Sequence, residues 1–287
     1  MSRAEIPHGP PLSYLNSEFL NSQEARAIRI LAEYLEPRTR LRRHRIRDTI
    51  VFFGSARSVA SDQAAAELES IKREAASLAQ LTPELEARLA WAEQATKLAR
   101  YYNDAMELAR RVTEWSKGLT GHHHFIVCSG GSYGMMEAAN RGASMARGKT
   151  IGLNIQLPLE QDVNQYVSRE LIFNFHYFFM RKFWFVYPAK ALVVFPGGFG
   201  TMDELFEVLT LIQTKKPSKS MPVILFGSEF WDEIINFDAL VRWGVVNAED
   251  LEIFHKSDSV DDAFEYLTSK LERLYLTPKG LEQVKLT

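Results

Sequence analysis

The sequence predicts an α/β protein built on a doubly wound parallel sheet, with an N-terminal helical arm and a helical insertion. Two observations carry that expectation. Short runs such as TIVFF, FIVCS and ALVVF are apolar without alternation, as strands covered on both faces are. From residue 125 onward such runs alternate with stretches of helical spacing, the pattern of βαβ units.

Taken in order, residues 1–16 contain Pro7, Pro10 and Pro11 and read as an extended arm. From Asn21 to Glu36, Ala25, Ile28, Leu31, Ala32 and Leu35 recur at helical spacing, and Pro37 is expected to end that helix. A basic run follows, with Arg38, Arg40, Arg42, Arg43, Arg45 and Arg47 and no acid before Asp48. The whole chain has a formal net charge of −2. A solvated segment pairing with acids of this or a partner subunit is therefore favoured over an anion or nucleic-acid patch. Residues 1–47 read as an N-terminal extension and helix, and 48–287 as one domain.

That domain opens with a strand and loop over 49–58. Residues 62–117 are almost wholly helical in pattern. Within them Thr82 suits an N-cap and Pro83 a first helical residue, and Leu98, Tyr101, Ala105, Leu108, Val112 and Trp115 form an apolar stripe. So long a connection reads as an insertion of two or more helices, packed on the sheet or on a partner. FIVCSGG is then a strand and loop, MMEAANRGASMARG a helix, TIGLNIQL and ELIFNF strands, and YFFMRKFWFVYPA an apolar helix. ALVVFPGG is a strand, TMDELFEVLTLIQT a helix, MPVILFG a strand and EFWDEIINF a helix; SVDDAFEYLTSKLERLYL closes the chain.

Composition narrows the class. At 46% hydrophobic and 24% charged residues the chain is of ordinary globular type. Its single cysteine, Cys128, excludes an internal disulfide, and no apolar run reaches the roughly 20 residues that cross a bilayer. With no secretory pattern at the start, a cytoplasmic protein without membrane or nucleic-acid partner is expected.

Chemistry is concentrated where strands end. Three of them run into small residues: GSARS (54–58), SGGSYG (129–134) and PGGFGT (196–201). Glycine lets backbone N–H groups approach a ligand, and a helix N-terminus adds partial positive charge. Three such loops at one sheet edge would cradle a phosphate, through Gly54, Ser55, Gly130, Gly131, Gly197, Gly198, Gly200 and Thr201. Two familiar motifs fail. GGFGTMD lacks the third glycine of G-x-G-x-x-G, and ASMARGKT has Ala143 for the first P-loop glycine and lies between a helix and a strand, in that order. Asp203 and Glu204 are expected in the first turn of the helix after PGGFGT, where the dipole favours acids and where a carboxylate could also orient water. Arg181 and Lys182 interrupt an otherwise apolar helix, either as ion pairs or as site cations. In the triplet His122–His124 only His122 and His124 would share a face, too few for a metal site on their own. Cys128 reads as a small strand residue.

PGGFGTMDE resembles the P-G-G-x-G-T-x-x-E signature of the Lonely Guy (LOG) family. The resemblance runs over about 48–230 and includes GGSYGMMEAANRGA, GLNIQLP and FHYFFMRK in the family's order. It implies a Rossmann-like fold, a homodimer or higher homo-oligomer, and a nucleoside 5′-monophosphate phosphoribohydrolase that releases free base and ribose 5-phosphate without a cofactor. By the same resemblance Gly197, Gly198, Gly200 and Thr201 hold the 5′-phosphate. Glu204 activates or orients the water and stabilises an oxocarbenium-like ribose, and Arg181 is the catalytic arginine. Lys182 and Glu137 match further family positions. Met180 stands where small plant-type members have an acid, and Ser132 and Tyr133 depart from larger bacterial members, so cytokinin, other purine and pyrimidine monophosphates all stay open as substrates. Relatives that carry the molybdenum cofactor share the fold, which makes a non-catalytic carrier of a phosphorylated ligand the alternative. Amino-acid decarboxylation, the family's older label, would need pyridoxal phosphate on a lysine. Lys149, Lys182 and Lys190 are the nearby ones, and none has a recognisable cofactor setting.

Overall fold

Six consecutive residues without an exposed side chain, Asp48–Phe53, form the central strand β1. The computed structural model describes residues 11–78, 80–120, 124–157, 162–214 and 221–277. Around β1 lie β2 (Phe125–Ser129), β3 (Thr150–Ile155), β4 (Ile172–Phe175), β5 (Ala189–Val194), β6 (Val223–Phe226) and β7 (Phe254–Ser257). They pair in the order β4-β3-β2-β1-β5-β6-β7, every pair parallel. The chain builds outward from β1 to β4, then crosses back to β5 on the other side of β1. The carboxyl ends of β1 and β5 thus flank the switch point, where a doubly wound sheet opens a crevice. This is the α/β, Rossmann-like architecture expected from the alternation. The short edge strand β7 was not foreseen, because FHKS is half polar.

Alternate residues of β1, β2, β5 and β6 feed two cores, as a pleat of period two requires. Ile50, Phe52, Val127, Val193 and Phe226 face α4 (Pro83–Gly118), α5 (Met135–Met145) and α10 (Val260–Leu271). Val51, Phe53, Cys128, Leu192 and Leu225 face α2 (Arg26–Arg43), α6 (Phe178–Val186), α7 (Phe199–Gln213) and α8 (Ser228–Ile234). Of the short helices, α9 (Phe237–Arg242) adds Phe237 to the second core, while α1 (Ser17–Asn21) lies against α2 and buries no residue.

Two helices make up the insertion: α3 (Ser61–Ala76) and the 36-residue α4. Thr82 caps α4, its hydroxyl accepting from the Leu85 N–H at 3.3 Å, with Pro83 at the first position. The C-terminal half of α4 packs on the sheet and on α5, where Gly142 lies so close that a Cβ would come within 2.0 Å of the Met106 carbonyl. Its N-terminal half meets α3 in a small separate cluster of Ile71, Leu85 and Ala92.

Pro37 does not end its helix; α2 runs through it to Arg43. A proline inside a helix removes the N–H that would reach the carbonyl four residues back, here that of Glu33. The Trp184 indole N–H supplies the missing donor at 2.9 Å. Part of the basic run is therefore helical, and Arg40 pairs with Glu36 and donates to the Ile172 carbonyl at 2.6 Å. The first ten residues of the expected arm lie outside the described residues.

Candidate active site

The backbone of one residue joins the three loops. Ser55, just after β1, donates its N–H to the Pro196 carbonyl at 2.9 Å, and its own carbonyl accepts from the Met135 N–H at 2.9 Å. Gly134 makes that approach possible: its φ is +71°, and a Cβ there would lie 2.2 Å from the Ser55 oxygen. The second loop is held from below by a buried polar network. Ser129 Oγ donates to Asn140 Oδ1 at 2.8 Å, and Asn164 Nδ2 reaches the Gly131 and Ser132 carbonyls at 3.0 and 2.8 Å.

Above these loops lies a cleft of about 750 Å³. Gly54, Ser55, Gly197, Gly198, Gly200, Thr201, Arg181 and Glu204 all line it. Helix α7 begins earlier than its sequence suggests, with Gly198 as N-cap and Phe199 as the first helical residue. Asp203 and Glu204 therefore sit in the second turn, and the dipole explanation for an acid does not apply to Glu204. Gly198 and Gly200 have nothing within 4 Å of where a Cβ would stand, so their backbone is bare toward the cleft. Gly197 is different: a Cβ would come within 2.2 Å of Thr201 Oγ1.

Glu204 is only 6% exposed, and among the described residues its Oε2 has no hydrogen-bond partner. Burial pushes its carboxyl up to about 7, against the opposing pull of Lys182 and Arg181. Arg181 is fixed by donating its Nε–H to the Leu153 carbonyl at 2.8 Å, with its guanidinium 5.0 Å from the Phe185 ring centroid. Burial lowers its pKa, partly offset by Glu204. A Cβ on Gly130 would meet Arg181 Nη2 at 2.7 Å, so that glycine leaves room for the arginine.

Gly130, Gly131, Glu137 and Lys182 do not line the cleft, so the SGGSYG loop adds no residue to the expected phosphate cradle. Gly131, at φ +78°, packs on Gly152; Glu137 accepts from the Tyr102 hydroxyl at 3.2 Å. Lys182 bridges Asp203 at 2.8 Å and Glu207 at 2.9 Å. Burial opposes its charge, but the two acids outweigh it and its pKa rises. Among the described residues no lysine lines the cleft, and Lys190 is paired with Asp48 at 3.2 Å in the sheet, so the residues present do not fit pyridoxal phosphate. Among the described residues no three His, Cys, Asp or Glu side chains gather as a metal site. His124 contacts the Ser116 carbonyl, and His122 lies outside the described residues. Cys128 is buried in β2, and burial raises its thiol pKa.

Nothing in residue type or spacing singles out Trp91, Gln94, Phe230 or Ile234, all of which line the cleft. Trp91 and Gln94 do lie at helical spacing ahead of Leu98, the first residue of the stripe recognised there. No helix among the described residues is long and apolar enough to cross a membrane.

A family model described as "Possible lysine decarboxylase" matches residues 136–267. The chain is 28% identical over 195 residues to "Probable cytokinin riboside 5′-monophosphate phosphoribohydrolase LOGL5" of Oryza sativa subsp. japonica, covering 67% of this chain and 73% of that one. Among solved structures it is similar to a molybdenum cofactor binding protein from Rippkaea orientalis (TM-score 0.44, 20% identity, 78% of this chain and 98% of that one). It is also similar to a Moco carrier protein from Chlamydomonas reinhardtii (TM-score 0.43, 19% identity, 79% of this chain and 100% of that one). At such scores neither likeness bears on what this chain binds.

Proposed function

We propose that this chain, which resembles the LOG family in its PGGFGTMDE signature, hydrolyses the N-glycosidic bond of nucleoside 5′-monophosphates, releasing free base and ribose 5-phosphate. The observation that carries this is Glu204: a buried carboxylate whose Oε2 has no partner among the described residues, in the same cleft as Arg181 and a bare glycine loop at a helix N-terminus. A buried ionisable group without a protein partner is costly to keep, and such groups gather where chemistry needs them.

The roles follow from the positions. Backbone N–H groups at Gly198–Thr201 hold the 5′-phosphate, helped by the positive end of α7. Ionised Glu204 faces the ribose and stabilises positive charge as it develops at C1′. The C1′–N bond breaks with its electron pair leaving on the base. Water then bonds to C1′, and the proton it gives up passes to Glu204 and finally to the base. Arg181 supplies a fixed cation beside the phosphorylated sugar. The remote phosphate orients the reacting centre, so a nucleoside without it reacts poorly.

The test is base release from a panel of nucleoside monophosphates and the matching nucleosides, wild type beside Glu204→Gln. Cleavage of monophosphates alone, lost in the variant, is expected. Tight binding without turnover, unchanged by Glu204→Gln, would instead establish a carrier. We also propose the homodimer that the family implies. The apolar side chains Phe178, Phe179 and Tyr187 on and next to α6 are each about half exposed and favour a partner surface, and sedimentation velocity decides it.

A further inference from the structure

The α3–α4 insertion reaches the cleft by one face of one helix. Trp91, Gln94, Ala95 and Leu98 recur at i, i+3, i+4 and i+7 on α4, so they share a face, and all four line the cleft. Apart from Arg57, the charged groups of the cleft come from α6 and α7, so the insertion side is an almost uncharged wall. Phe230 and Ile234 of α8 add to the apolar lining.

Trp91 is 58% exposed, a large aromatic surface left open to the cleft. Arg57, from the loop after β1, holds its guanidinium 5.2 Å from the Trp91 ring centroid. A second cavity of about 420 Å³ opens between α3 and α4, and Arg57, Trp91 and Ala95 line both spaces. Trp91 therefore stands between the two spaces with a cation over its ring, and more than half of its surface is exposed. An indole offers a flat π-surface on which any nucleobase can stack.

We propose that the insertion forms the base subsite of this enzyme, with Trp91 as the stacking surface, Arg57 as its support, and Gln94 offering an amide donor and acceptor to the base edge. The proposal deepens the nucleoside monophosphate reading and rests on it. Stacking tolerates different bases, so the platform supplies affinity for a ring, and discrimination between rings falls to Gln94.

The experiment is calorimetric binding of AMP and of ribose 5-phosphate to Glu204→Gln, alone and combined with Trp91→Ala or Trp91→Phe. Trp91→Ala is expected to weaken AMP about tenfold or more while ribose 5-phosphate binds within about twofold of its parent. Trp91→Phe should recover most of the loss. Equal AMP affinity in all three proteins, or a parallel loss of ribose 5-phosphate, overturns the proposal. Base release by the wild type is measured alongside. If it hydrolyses no monophosphate yet AMP binding still depends on Trp91, the hydrolase reading falls and the base subsite stands. If it hydrolyses them and Trp91 is indifferent, the reverse holds, and no AMP binding at all removes both.

Discussion

The Trp184 indole donates at 2.9 Å to the carbonyl of Glu33, the carbonyl that Pro37 leaves without its helical donor. The Glu33 carboxylate in turn accepts the backbone N–H groups of His176 and Tyr177 at 2.8 and 3.3 Å, at the start of α6. One residue of the N-terminal helix thus clamps the helix that carries Arg181.

Trp184→Phe keeps an aromatic ring but strands that carbonyl, and the expected cost is about 1–3 kcal/mol. In a Pro37→Ala background the alanine N–H supplies the missing donor, so the same substitution should cost about 1 kcal/mol less. Denaturant melts of the four proteins measure the difference, and equal costs in both backgrounds would reject the pairing.

The Glu204 carboxyl, at about 7, should control an acid limb in kcat/KM. The ionised form is needed, so activity falls as pH drops below about 7. The substrate phosphate titrates in a neighbouring range, and Lys182 separates the two. Its charge lowers the Glu204 value, so Lys182→Met should move the limb to higher pH. A phosphate-controlled limb would stay where it was.

The same shift has a consequence for stability. A carboxyl of ordinary value 4.5 unfolded and about 7 folded holds its proton more tightly in the native state. Native stability therefore falls as pH rises from about 4.5 to about 7, by about 3 kcal/mol in all. Glu204→Gln cannot ionise and escapes that loss. Relative to wild type it should gain stability between pH 5 and pH 8 while losing activity. A difference that does not change with pH would mean Glu204 is ionised throughout.

Two neighbouring glycines should respond in opposite ways. Gly197→Ala drives a Cβ into Thr201 and is expected to cost about 1–3 kcal/mol. Gly198→Ala meets only open space, so stability should hold within about 0.5 kcal/mol. Its methyl group nevertheless intrudes where a phosphate would lie, and KM for a monophosphate should rise about tenfold through lost hydrogen bonds. Thermal melts and initial rates together decide, and an unchanged KM would move the phosphate elsewhere.

Much of this was legible along the chain. Unbroken apolar runs announced the buried parallel strands, and small residues after three of them announced loops free of side chains. Arg181 and Lys182 stood out against an apolar helix, but only packing separated them: Arg181 points into the cleft, while Lys182 is taken by Asp203 and Glu207. Likewise Thr201 marked the α7 junction, yet the helix began at Phe199 and carried Glu204 a turn further in. By itself the sequence determined the order of strands and helices from β1 to α8 and the loop that ends β5, because burial on both faces and bare backbone are written in residue type. Tertiary structure alone decided that Pro37 lies inside a helix, that Trp91 lines the same cleft as Gly198 and Gly200, and that Glu204 is buried with its Oε2 unpartnered among the described residues. Each of these depends on a group distant in sequence, and local spacing holds no record of which distant group will arrive.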